Sequence, residues 1–193
     1  MLLDADDPVS DSSLLNAIAT IKSSQSDYVI GDRRAILLHS EDQVSSYSRI
    51  YVEIFSNTLL QVTLQKQWPI FKHGPDIQSG FYIISGRARR SLCLDYVKDY
   101  GGELALYYEL TMAGFSPSTM CIESNKATSS SYLIHTIVRS IASLPFFQSV
   151  SQEQLAISLR LAPELYARYL PPGEQQQFFS ELIPVLRDVF PWL

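Results

Sequence analysis

Residues 47–68 read YSRIYVEIFSNTLLQVTLQKQW, and the way this stretch is folded decides the architecture. In its first half Tyr47, Arg49, Tyr51, Glu53 and Phe55 alternate with Ile50, Val52 and Ile54. In its second half Leu60, Val62 and Leu64 alternate with Gln61, Thr63 and Gln65. Alternation with period two is the pattern of a strand that buries one face. Ser56-Asn57-Thr58, between the halves, are residues that bond their own backbone in turns. The stretch therefore predicts an antiparallel hairpin, Tyr47–Phe55 with Leu59–Gln67, at the centre of a sheet.

The flanks extend this expectation. Upstream, Asp11 or Ser12 caps a helix that runs to about Ser23, with Leu14, Leu15, Ile18 and Ile21 as its apolar face. Tyr28–Ile30 and Ala35–Leu38 flank Gly31-Asp32-Arg33-Arg34 as a short hairpin. Downstream, Pro69, Gly74, Pro75 and Gly80 mark a loop, and Phe81–Ile84 follows as a strand. Leu92–Val97 and Glu103–Thr111 read as a further hairpin around Gly101-Gly102, and Thr119–Ile122 as an edge strand. After Asn125 the period changes. Leu133, Ile134, Ile137, Val138 and Ile141 form a helical stripe. Ser151-Gln152-Glu153-Gln154 has the spacing of a capping box. A third helix carries Phe178, Phe179, Leu182, Ile183, Leu186, Val189 and Phe190. The expected fold is α+β: an N-terminal helix, a mostly antiparallel sheet of five to seven strands, then three C-terminal helices packed on one face. Residues 1–11 form a flexible acidic arm. Residues 12–193 form one domain, strand-rich over 27–123 and helical over 129–191.

Composition narrows the function classes. Of 193 residues, 46% are apolar and 11% aromatic, enough for a packed core. A net charge of −5 makes nucleic acid an unlikely partner. No apolar run approaches the roughly 20 residues of a membrane span. The two cysteines, Cys93 and Cys121, and a start without the layout of a secretory signal fit a reducing compartment, cytoplasmic or nuclear.

No catalytic constellation stands out. The chain lacks GxxxxGK[ST], GxGxxG and GxSxG motifs. Its three histidines, His39, His73 and His135, show no metal-ligand spacing with the cysteines, so neither a metal nor a cofactor is expected. His73, on a loop near Asp76, is the one opening for a hydrolase or transferase. Arg87, Arg89 and Arg90 form the densest positive cluster, the candidate for an anion or nucleic-acid contact. Phe190, Trp192 and Leu193 close the chain with large apolar groups suited to anchoring a partner. The functional expectation is a non-catalytic protein-interaction subunit or assembly factor of a larger complex, in one version a small acidic chaperone for a client segment. Its partner is another protein, and an oligomer could form through a sheet edge or the C-terminal helices.

Overall fold

The computed structural model describes residues 2–3, 9–23, 26–32, 47–64, 76–97, 101–122, 134–165, 180, 183–184 and 186–188. The chain divides into two compact units. One comprises residues 1–40, 75–96 and 102–127, the other residues 41–74, 97–101 and 128–193.

The first unit is built on a small mixed sheet. Its strands are β1 (Leu2–Leu3), β2 (Tyr28–Asp32), β3 (Phe81–Ile84) and β4 (Pro117–Cys121), in the spatial order β1-β3-β2-β4. Only three of them are longer than two residues. β3 runs antiparallel to β1 and β2, and β4 parallel to β2. This corrects the expected sheet of five to seven mostly antiparallel strands. Strand pairing in this unit centres on β2, whose Tyr28, Val29 and Ile30 are fully buried. A run apolar at every position is what a strand covered on both faces requires.

The registers assign the faces. Val29 pairs with Ile83 and Ser118, and Gly31 with Met120, so these residues share one side of the sheet. Against that side packs α1 (Asp11–Ser23), whose Ala17 joins Val29, Phe81, Ile83 and Ile122 in one core cluster. Ser10 caps α1, its hydroxyl accepting from the Ser13 amide at 3.3 Å. Gly31 is needed in this layer. A Cβ there would lie 2.7 Å from Ile122 Cδ1, closer than packed atoms approach.

The opposite side carries Tyr28, Ile30 and Tyr82. Tyr28 meets Tyr107 edge to face at 6.4 Å. Tyr107 belongs not to the expected hairpin of 92–97 and 103–111 but to a helix. After the short α3 (Gly86–Arg89), α4 runs from Gly102 to Met112. Leu104, Tyr107, Leu110 and Thr111 recur at spacings of three and four and are buried together. Gly114, at φ 80°, ends α4. The Phe115 amide reaches the Leu110 carbonyl and the Gly114 amide the Thr111 carbonyl, a Schellman closure.

The second unit is helical, and the stretch that promised a central hairpin is its longest described helix. α2 spans Tyr47–Leu64 and packs against α5 (Ile134–Ala142) and α7 (Gln152–Leu165). Residues 53–62 are all buried. A helix covered on every side shows no amphipathic stripe, so nothing in its pattern contradicts a period of two. Two of its hydroxyls are accommodated locally. Thr58 and Thr63 each donate to the carbonyl four residues back, Ile54 and Leu59, at 2.8 Å. Between α5 and α7 lies α6 (Pro145–Gln148), begun by Pro145, with Phe146 and Phe147 buried. The capping box at the start of α7 is formed: Ser151 N–H donates to Gln154 Oε1 at 2.9 Å, and Gln154 N–H to Ser151 Oγ at 3.1 Å. The described positions 180, 183–184 and 186–188 are helical.

Candidate functional site

Among the described residues, the outer edge of β4 presents an exposed backbone hydrogen-bonding array. β4 is the last strand of the sheet, and among the described residues nothing pairs with its far side. Backbone bonds at its two ends fix which groups point where. The Ser116 carbonyl accepts from Asp27 N–H at 3.1 Å, and Ile122 N–H donates to the Asp32 carbonyl at 3.2 Å. In a parallel ladder alternate residues of a strand serve the same neighbour. Positions 116, 118, 120 and 122 thus face β2, while Pro117, Thr119 and Cys121 direct their backbone groups outward. Thr119 and Cys121 are also exposed, whereas Met120, on the other side of the strand, packs toward Ala17 and Val29. Pro117 brings a carbonyl to this edge but no N–H. No residue of Pro117–Cys121 is charged. Proteins usually guard such edges with lysines, bulges or covering elements. The sequence marked an edge strand here without marking it as a site.

The arginine cluster is differently employed. Ser85 caps α3 by accepting from Ala88 N–H at 3.2 Å, and the turn of helix spreads Arg87, Arg89 and Arg90 apart. Arg87 donates through Nε (3.2 Å) and Nη2 to Asp27 Oδ1, and its guanidinium carbon lies 5.4 Å from the centre of the Phe115 ring. Its charge is thus committed to a buried carboxylate and an aromatic face. Arg89 and Arg90 are exposed. Arg33 and Arg34 lie outside the described residues.

A second polar assembly lies beneath the sheet, around Tyr82. Asp76, Gln78 and Ser79 are buried in the turn before β3, which Gly80 closes at φ 73°. Tyr82 Oη donates to the Ile77 carbonyl at 2.5 Å. Burial first, and then the charges of Glu103 and Asp76 with the neighbouring Tyr28 and Tyr107, drive its pKa well above the ordinary tyrosine value. Tyr28 is raised for the same leading reason, and Tyr107 is pushed up to about 12 by burial. Thr111 stands near enough to temper both, yet no hydrogen bond of good geometry reaches the buried Tyr28 Oη. These groups are held neutral in a closed interior, an arrangement that builds a core.

His73, Phe190, Trp192 and Leu193 lie outside the described residues. Asp76, the carboxylate set beside His73 in the sequence, is 4% exposed. Cys93 and Cys121 are free exposed thiols. Among the described residues no group of three or more His, Cys, Asp or Glu could hold a metal ion, and no helix is long and apolar enough to cross a membrane. In the helical unit, Phe55, Leu59, Val138, Ile141 and Phe147 line a shallow apolar cleft. Comparison with protein-family models, with curated proteins and with solved structures found no match.

Proposed function

We propose that this chain is a non-catalytic protein-interaction subunit that accepts an extended segment of another polypeptide along the outer edge of β4. The observation that supports this reading is the edge itself, where the backbone of Thr119 and Cys121 points outward and both residues are exposed. Strand addition draws its affinity from main-chain hydrogen bonds of this kind, with alternate side chains supplying selectivity. The anion-binding alternative has less support, because Arg87 is already paired with Asp27.

Thr119→Pro tests the reading with little collateral damage. Thr119 gives no backbone bond to β2, and proline is tolerated on a strand whose N–H side faces solvent. The variant should keep the parent's melting temperature and lose binding to arrayed extended peptides that the parent captures. Met120→Pro, which removes an inward N–H, should instead melt earlier. Peptide capture unchanged in Thr119→Pro would overturn the proposal.

A further inference from the structure

Resting on the reading of β4 as a strand-accepting edge, we infer that its occupant is the β4 of a second copy of this chain, paired antiparallel about a two-fold axis through Thr119. The outward groups are self-complementary about that point. Each Thr119 N–H meets the other copy's Thr119 carbonyl, and each Cys121 N–H meets the second copy's Pro117 carbonyl. The single absent donor, that of Pro117, leaves only the Cys121 carbonyl to solvent. Centring the axis on Cys121 would place residues beyond the strand in the ladder, and a centre at Met120, a non-hydrogen-bonded pair, would set Thr119 against the second copy's Cys121 and forgo the threonine–threonine pair. Side chains agree with the same axis: threonine faces threonine, a favourable cross-strand pair, and Cys121 faces proline.

Charge favours a second copy over a foreign segment. A charged edge selects a partner of opposite sign and repels itself when two copies meet. Pro117-Ser118-Thr119-Met120-Cys121 carries no charge, although the whole chain carries −5. The edge therefore offers a foreign strand no electrostatic selection and offers its own copy no repulsion. A closed two-fold pairing also consumes the β4 edge of both copies at once, so association through this edge stops at the dimer.

The test uses the full chain. Sedimentation across a concentration series should show a monomer–dimer equilibrium, shifted to monomer in Thr119→Pro at unchanged melting temperature. In a Cys93→Ser, Cys121→Ser background, Thr119→Cys should form a disulfide-linked dimer under mild oxidation. Facing residues of a hydrogen-bonded antiparallel pair stand about 5.5 Å apart, within disulfide reach. A parent that stays monomeric throughout, or a Thr119→Cys chain that does not cross-link, overturns the two-fold pairing. If that parent still captures extended peptides in a Thr119-dependent way, the edge reading stands and only the second-copy assignment falls. If Thr119→Pro changes neither dimerisation nor peptide capture, both fall.

Discussion

Tyr82 gives its phenolic hydrogen to the Ile77 carbonyl at 2.5 Å, tying the middle of β3 to the turn that precedes it. The residue is fully buried, so no water competes for either group. Tyr28, equally buried one strand away, has a hydroxyl without such a bond. The two tyrosines thus look alike in sequence and in burial but differ in satisfaction.

That difference sets opposite outcomes for one substitution. Tyr82→Phe leaves the Ile77 carbonyl buried without its donor and should cost about 1–3 kcal/mol. Tyr28→Phe removes a buried hydroxyl that lacks a good partner and should be close to neutral, or stabilising by a few tenths of a kcal/mol. Chemical denaturation of the two variants against the parent checks this. Equal losses would mean that Tyr28 Oη is satisfied in solution.

The same cluster makes stability sensitive to alkali. Tyrosine in the unfolded chain ionises near pH 10. In the fold, burial holds Tyr28 and Tyr82 far above that value and Tyr107 at about 12. Above pH 10 the unfolded chain has therefore lost protons that the folded chain keeps, and the slope of stability with pH is negative. The stabilising preference for the neutral form is complete below pH 10 and declines as pH rises, with Tyr107 giving up its share by about pH 12. A melting curve flat from pH 7 to 9 and falling steeply beyond 10 is expected. Tyr107→Phe should make that fall shallower.

In α2, Thr58→Gly separates helix from hairpin. It creates an Asn-Gly pair, the preferred turn of a two-residue hairpin, which would stabilise the chain if residues 56–58 turned. In the helix, glycine costs about 1 kcal/mol relative to alanine, and the fully buried Thr58 side chain and its bond to the Ile54 carbonyl are lost as well. A lower melting temperature is expected, and a higher one would restore the hairpin.

That residue also shows where the sequence stops being informative. Elements with one exposed face were legible. The helix α1 was legible, although Leu15, read as part of its apolar face, is exposed and the small Ala17 is buried instead, and the capping box at Ser151 announced α7. β2 and β3 were legible from short β-rich runs bounded by turn residues. α2 was not, because every position from Glu53 to Val62 is buried and a covered helix has no polar face to set its period. α4 failed for a related reason: buried Leu104, Ala105, Leu106 and Tyr107 are consecutive, and Gly101-Gly102 imitates a hairpin turn while standing at a helix start. Of the candidate site, the edge character of residues 119–122 was legible. The outward direction of Thr119 and Cys121 depends on the register with β2, which no local pattern encodes.

The arginine cluster gives the last prediction, since its three members should separate in their effect on stability. Arg87 bridges Asp27 and leans over Phe115, joining the start of β2 to the segment that enters β4. Its side chain remains 69% exposed while that of Asp27 is 12% exposed, so solvent screens the pair and its worth is modest. Removing the cation nonetheless leaves a mostly buried carboxylate without its partner. Arg87→Ala should therefore lower stability by about 1 kcal/mol. Arg89→Ala and Arg90→Ala change exposed side chains on a short helix and should leave the melting temperature unchanged. Combining Arg87→Ala with Asp27→Asn should recover part of the loss, because the unpaired charge is then gone. Denaturation midpoints of the four variants decide the matter: equal effects at Arg87, Arg89 and Arg90 would return all three to one undifferentiated basic surface and leave the Asp27 bridge without a structural role.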